Sequence, residues 1–279
     1  MQMKNCMDMR KEKDMEKKNG KIYVVANQKG GAGKTTTAAA MLSGFTRRGY
    51  RVLGIDLDPQ MSLSKRVKAD TEAPGTAEVI KKEIPIGETL QETGEHGWIS
   101  PANGILANID QDLTGLKAIG KLEALKKAIR PLRKDFDFIV IDTPPAMGTL
   151  LINGLAACDE VIVPTEASLL GIQGIAQLKE TVDAVEENIT PGIRIGGILL
   201  VRFNPQLVLN RSLLATLQTE IAPAIGSRVY RSMVRESVAI REAEYQRMSI
   251  FTYAPHNPAV ISYRTFIDEL EEEENEKVR

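Results

Sequence analysis

Short apolar runs, separated by stretches of helical period, fill the middle of the chain. Ile22-Tyr23-Val24-Val25-Ala26 is one, Val52-Leu53-Gly54-Ile55 a second, and Phe138-Ile139-Val140-Ile141 a third. The strand candidates are residues 21–27, 51–56, 97–100, 137–142, 160–164, 194–201 and 228–230. Between them, Ala38, Met41, Leu42 and Phe45 share one helical face. Leu122, Leu125 and Ile129 share another, and Ile172, Ile175, Val182 and Val185 a third. Elements alternating in this way predict an α/β fold: a doubly wound, mainly parallel sheet with helices on both faces. No repeat and no Pro/Gly/Ser linker interrupts the pattern. It therefore predicts a single domain over residues 21–279, behind a flexible N-terminal tail of mixed charge at residues 1–20.

Residues 70–120 are the exception, with many Gly and Thr and little periodicity. Trp98 reads there as a packing residue and His96 as an exposed loop residue. His256, in Ala254-Pro255-His256-Asn257-Pro258, reads as a turn residue.

Composition narrows the classes. With 43% hydrophobic residues, 279 residues can bury a substantial core. The formal net charge of −1 does not advertise a nucleic-acid partner, so such binding needs a local basic patch. Cys6 and Cys158 are the only cysteines and are far apart. This excludes a disulfide framework and a cysteine-built zinc site, and fits a reducing cytoplasm. No apolar stretch approaches the roughly 18 residues of a membrane span, and the N-terminus lacks the apolar core of a secretory signal.

Two residues after the first apolar run stands Lys29-Gly30-Gly31-Ala32-Gly33-Lys34-Thr35-Thr36-Thr37. It approaches the form G-x-x-x-x-G-K-[ST], with Gln28 in place of the first glycine. Glycines let the backbone curl so that its N–H groups point at phosphate oxygens. Residues Gly30, Gly31, Ala32, Gly33, Lys34, Thr35 and Thr36 are the candidate nucleotide-binding segment. Lys34 supplies charge for the β- and γ-phosphates, and Thr35 a hydroxyl for Mg²⁺. A helix beginning near Lys34 adds its positive dipole end. Lys29 is a second lysine at the mouth of the loop, placed to reach a phosphate across a subunit boundary.

Two further runs close on carboxylates: Ile55-Asp56-Leu57-Asp58-Pro59-Gln60, and Ile141-Asp142-Thr143-Pro144-Pro145. The carboxyl edge of a parallel sheet is where ligands sit. An Asp there can hold Mg²⁺ directly or through water; the plainer alternative is a helix cap or turn. Leu199-Leu200-Val201-Arg202-Phe203-Asn204-Pro205 ends a run on an amide suited to an adenine edge, or on a simple Asn-Pro turn.

The glycine loop resembles the deviant Walker A box of the ParA/MinD family of dimerising P-loop ATPases. I-D-L-D-P-Q resembles that family's second motif, and I-D-T-P-P its Walker B and switch II region. The D-P-Q triplet points to the partition ParA branch. The resemblance covers about residues 20–270. It departs where many partition ATPases continue Pro-Gln-Gly-Asn and this chain has Pro59-Gln60-Met61-Ser62.

The resemblance implies a cytoplasmic, nucleoid-associated, Mg²⁺-dependent ATPase whose two chains sandwich two ATP molecules. Lys34, Lys29 and Asp58 would be catalytic, with Asp58 orienting the attacking water and Lys29 entering the partner's site. Thr35, Asp56 and Asp142 would serve the metal, and Asn204 the base. The ATP-dependent homodimer would bind DNA nonspecifically, and a ParB-like partner would stimulate hydrolysis. A ParA-like positioner of other cargo, or a nucleotide-binding adaptor with little turnover, are the alternatives.

The C-terminal third is locally basic. Arg202, Arg211, Arg228, Arg231, Arg235, Arg241 and Arg247 outnumber Glu220, Glu236, Glu242 and Glu244. Arg228, Arg231, Arg235, Arg241 and Arg247 are the candidate DNA contacts; the alternative is a solvated face with ion pairs such as Glu244 with Arg241 or Arg247. The acidic end, Glu269 to Glu276, reads as the polar end of a helix begun near Pro258. It opposes the MinD-like alternative, whose basic amphipathic helix binds anionic membrane.

Overall fold

The computed structural model describes residues 19–109 and 118–276. One sheet holds eight strands in the order β3-β4-β2-β5-β1-β6-β7-β8. These are β1 (Lys21–Val25), β2 (Val52–Asp56), β3 (Gln91–Glu92), β4 (Trp98–Ser100), β5 (Phe138–Asp142), β6 (Glu160–Thr165), β7 (Arg194–Leu200) and β8 (Val229–Met233). All neighbours run parallel except β3, which pairs antiparallel with β4. The helices used below are α1 (Lys34–Arg47), α2 (Ser62–Arg66), α3 (Thr76–Lys81), α4 (Ala118–Leu122), α5 (Ala124–Ile129) and α6 (Thr149–Ala157). They continue with α7 (Leu169–Asn188), α8 (Val208–Thr216), α9 (Val238–Tyr245), α10 (Ile250–Tyr253) and α11 (Pro258–Glu276).

The central strands are apolar at consecutive positions because both faces are covered. Ile22, Val24, Ile139 and Ile141 point to the layer that holds Ile80 of α3, Leu125 of α5, Leu155 of α6 and Leu178 of α7. Tyr23, Val25, Phe138 and Val140 point to the other, with Met41 of α1, Phe251 of α10 and Phe266 of α11. Burying one such side chain stabilises by about 1.5–3 kcal/mol, so both layers hold the sheet. The expected doubly wound sheet is present, and β8 runs three residues beyond its expected end at 230.

Two local expectations change. The face Leu122-Leu125-Ile129 is divided between α4 and α5 at Glu123. Asn153 of α6 bridges the break, accepting from the Leu125 N–H at 3.1 Å and donating to the Lys121 carbonyl at 2.9 Å. His96 is buried rather than exposed. It sits in the 3-10 turn Gly94–His96, beside Ala39, Ser43 and Arg66. Burial lowers its pKa to about 4, so it stays neutral. The acidic end of α11 is, as expected, the end of a helix begun at Pro258, and its carboxylates dock on the sheet. Glu269 is buried and accepts from the Arg231 and Ser232 N–H groups at 2.8 and 2.7 Å. Glu271 pairs with Arg48 at 2.9 Å, and Glu274 with Lys21 at 3.4 Å.

Trp98 packs partly buried against the core, and His256 lies in an exposed turn. The tail proposed at 1–20 falls outside the described residues except Asn19 and Gly20, as does Cys6.

Candidate nucleotide site

Register places the site. β2 and β5 pair so that Asp56 lies opposite Asp142, and β1 pairs Val25 with the same Asp142. The loop after Val25 therefore leaves the sheet directly beside both carboxylates and turns into α1. Gly31 (φ 72°) and Gly33 (φ 85°) have left-handed backbone, which a side chain disfavours. A Cβ at Gly33 would also stand 3.3 Å from a Val201 methyl. Gly33 is the N-cap of α1, and no side chain caps that helix. The first-turn N–H groups are left for an anion.

Asn27, which sequence reasoning missed, anchors the loop. Its amide donates to the Pro164 carbonyl at 2.8 Å and accepts from the Lys29 N–H at 2.9 Å. Gln28, at the place of the absent glycine, donates to Thr181 of α7 at 3.3 Å. Asn27 lies before the motif and Gln28 departs from its first glycine, and both partners are distant in sequence, so only the fold reveals their use.

Lys34 is almost fully buried, and its ammonium donates to the Lys29 carbonyl at 3.4 Å. Burial lowers its pKa, while Asp142 and Asp58 raise it. The ammonium thus faces the carboxylates. Thr35 and Thr36 are half-buried on the first turn of α1, Gly30 is exposed and Ala32 is buried.

The carboxylates divide the work. Asp56 is fully buried and satisfied by the protein. One oxygen accepts from the Asp58 N–H at 3.0 Å, and the other from the Ser64 N–H and hydroxyl at 2.9 and 2.7 Å. Asp56 thus ties α2 to the carboxyl edge of the sheet, the turn-and-cap role that the sequence offered as the alternative to metal binding. Asp142 is equally buried, yet neither of its oxygens has a hydrogen-bonded partner. The Thr35 hydroxyl lies beside it, without the geometry of a full hydrogen bond. Burial, then repulsion by Asp56, pushes the Asp142 pKa up; Lys34 pulls it down. Burial also raises Asp56. Asp58 is nearly buried and accepts from the Gln60 N–H at 2.9 Å.

These residues fit a hydrated Mg²⁺. A buried carboxylate with free lone pairs beside a threonine hydroxyl offers it a foothold. Among the described residues no three His, Cys, Asp or Glu side chains gather to hold a metal alone. Mg²⁺ is ordinarily held by one or two carboxylates plus substrate phosphates, so that absence agrees with the fit.

Within this chain Lys29 has a carboxylate partner. Its ammonium pairs with Glu166, just past β6, at 2.7 Å, and the other Glu166 oxygen accepts from Arg202 at 2.6 Å. Sequence reasoning did not select Glu166. Asn204 is exposed, and its side-chain oxygen accepts from the Gln206 N–H at 2.9 Å, closing a turn.

The arginine set separates. Arg228 pairs with Glu273, and Arg231 with Glu272 at 2.7 Å and Glu269 at 3.6 Å. Arg235 and Arg241 line a cleft beside the loop with Gly33, Thr36, Val201 and Tyr263. Arg235, Arg241 and Arg247 show no carboxylate partner among the described residues. The suggested pairing of Glu244 with Arg241 or Arg247 gives way to Glu244 with Arg66 at 2.5 Å.

A glycine loop between a parallel strand and an uncapped helix, with Asp at the neighbouring strand end, defines a P-loop nucleotide-binding protein. Residues 20–195 match the family model described as an AAA domain. The chromosome-partitioning ATPase Soj of Thermus thermophilus is 31% identical over 88% of this chain and 93% of its own. Cobyrinic acid a,c-diamide synthase from Mycobacterium smegmatis, solved with an ATP analogue and magnesium, is 29% identical with a TM-score of 0.76. It covers 90% of this chain and 94% of its own. The apo McdA of Cyanothece is 26% identical with a TM-score of 0.78, over 89% and 98%. The chain belongs to the AAA-domain family and, within it, to the ParA/Soj group of P-loop ATPases.

Proposed function

We propose that this chain hydrolyses Mg²⁺-ATP as an ATP-dependent homodimer and uses the cycle to move DNA. The observation that carries the chemistry is Asp142. Its unpartnered oxygens lie beside Thr35 and Lys34, below an uncapped helix N-terminus. Mg²⁺ at this foothold supplies charge neutralisation for the phosphates. Loop N–H groups and Lys34 hold the β- and γ-oxygens, and Asp58 orients the attacking water. Lys29 enters the partner's site and offsets charge that develops in phosphoryl transfer. Asn204 retains its amide N–H groups for the base while its oxygen closes the turn.

Support for a dimer comes from the carboxyl-edge loops. Met147, which touches Gln28, and Leu169, Leu170, Leu207, Val208 and Leu209, which follow the carboxyl ends of β6 and β7, are exposed at 52–71% of their surface. An apolar rim of this kind marks an interaction face. A Soj relative named as a chromosome-partitioning ATPase supports DNA as cargo, and a ParB-like partner that stimulates hydrolysis is part of the same proposal. Arg235, Arg241 and Arg247 remain as phosphate contacts, since Arg228 and Arg231 are neutralised. A cytoplasmic, nucleoid-associated protein follows from this reading; no described helix is long and apolar enough to cross a membrane.

Phosphate release by the purified protein, with and without random duplex DNA, tests the proposal. Turnover that requires Mg²⁺ and responds to DNA supports it. Turnover indifferent to DNA favours a positioner of other cargo, and no turnover favours a nucleotide-binding adaptor.

A further inference from the structure

We infer that Glu166 is a latch on Lys29. It is a positioning residue that keeps the lysine in its own subunit until the partner's bound nucleotide competes for it. This inference rests on the proposed cross-subunit role of Lys29.

The geometry is specific. Both ends of Lys29 are tied to the end of β6. Its N–H donates to Asn27, which in turn donates to Pro164. Its ammonium meets Glu166 at 2.7 Å. Both side chains are about one quarter exposed, so the pair is partly shielded from water. Hydrogen bonding from Lys29 is the largest influence lowering the Glu166 pKa, which keeps the carboxylate charged.

Arg202 makes the latch reversible. It holds the other oxygen of Glu166 at 2.6 Å, so departure of Lys29 does not leave that carboxylate without a cation. An unpaired, partly buried charge would otherwise oppose release. Arg202 adopts a left-handed backbone (φ 51°), uncommon for a side-chain-bearing residue, and lines the cleft with Gly33 and Thr36. One arginine therefore touches both the latch and the cleft beside the phosphate loop. A phosphate in the partner's site, with more negative charge than one carboxylate, is the competitor that draws Lys29 away.

The test uses the full chain and compares Glu166→Gln, Glu166→Asp, Arg202→Gln, Lys29→Ala and the Lys29→Ala/Glu166→Gln double variant. Thermal melting checks that each is folded, and calorimetry gives its ATP affinity. Basal turnover and ATP-analogue-dependent dimerisation are then read across a protein concentration series. Glu166→Gln removes the charge but keeps the shape. It is expected to raise basal turnover by about two- to fivefold, the range of a partly exposed ion pair, and to shift dimerisation to lower protein concentration. Glu166→Asp stays nearer the parent. Arg202→Gln moves the other way, because Glu166 then has Lys29 alone.

The double variant is expected to behave as Lys29→Ala, showing that Glu166 acts through the lysine. If Lys29→Ala loses turnover while Glu166→Gln matches or falls below the parent, the latch is wrong and the cross-subunit lysine stands. If Lys29→Ala keeps parental turnover and dimerisation, the underlying reading is wrong. A gain in the double variant equal to that in Glu166→Gln alone would also overturn the latch.

Discussion

Asp56 and Asp142 lie opposite each other on adjacent parallel strands, both fully buried, and only Asp56 is satisfied by protein donors. Burial raises the Asp142 pKa, and Thr35 and Lys34 are near enough to the carboxylate to lower it. A buried carboxylate without hydrogen bonds destabilises the fold unless it is protonated or meets a cation. The site is thus strained in favour of the metal it is proposed to take.

This strain has a pH signature. The Asp142 pKa is raised in the folded chain above its unfolded value. Its contribution to stability is full below the unfolded pKa and is lost as pH rises through the raised one. The nucleotide-free protein should therefore lose melting temperature from the ordinary carboxylate range upward. Asp142→Asn should flatten that fall, and each unit of pKa shift removed corresponds to about 1.4 kcal/mol. For a chain of this size 1 kcal/mol is worth roughly 2–4 °C. Mg²⁺ with an ATP analogue should stabilise the parent more than the variant at high pH, because only the parent gains a partner for the Asp142 carboxylate beyond the stabilisation that nucleotide binding gives both. Scanning calorimetry at pH 5 and pH 8 checks both; parallel curves for parent and variant would contradict the account.

Lys34→Ala should weaken ATP binding by about ten- to a hundredfold, as expected when a charge-assisted phosphate contact is lost. The fold should persist, because the Lys34 ammonium makes one long hydrogen bond to protein and otherwise faces the site. Titration calorimetry with ATP and Mg²⁺ decides this; parental affinity in a folded variant contradicts the assignment.

Asp58→Ala should separate binding from turnover. Its side chain accepts one loop N–H, from Gln60. ATP should bind near parental affinity, while hydrolysis falls by about 10²–10⁴-fold, the usual range for loss of a proton-handling or water-orienting group. Single-turnover phosphate release is the measurement. Parental turnover would move the role elsewhere.

For DNA, the ion pairs of Arg228 and Arg231 make the outcomes unequal. Arg241→Ala or Arg235→Ala should lower the slope of log affinity against log salt by about 0.9 per contact, and up to twice that in a two-fold dimer. Arg231→Ala should leave the slope unchanged, since Glu269 and Glu272 already neutralise it. Fluorescence anisotropy on random duplex DNA across a salt series resolves the difference. Equal slopes in all variants would return these arginines to solvated surface.

Much of this was legible in the sequence because the signals are local. Val52 to Asp56 and Phe138 to Asp142 announce buried parallel strands by continuous apolar residues, and their closing carboxylates mark the ligand edge. The loop from Lys29 to Thr36 declares itself through glycines that its backbone needs. What stayed hidden depends on contacts distant in sequence. Glu166 lies 137 residues from Lys29, and Glu269 lies 38 from Arg231, so no window relates them. Arginine excess around Arg228 and Arg231 looked like free charge because the carboxylates of α11 that absorb it come later. β3 has only two polar residues and no period to detect. His96 is buried by the fold of its turn over α1, which composition does not encode.

ATP is expected to join two of these chains across the face that carries the phosphate loop. Sedimentation velocity of the purified protein, with Mg²⁺ and either a non-hydrolysable ATP analogue or ADP, tests it most directly. The account predicts a species of twice the chain mass with the analogue, a monomer with ADP, and loss of the larger species in Lys29→Ala. The same mass in both nucleotide states would contradict it.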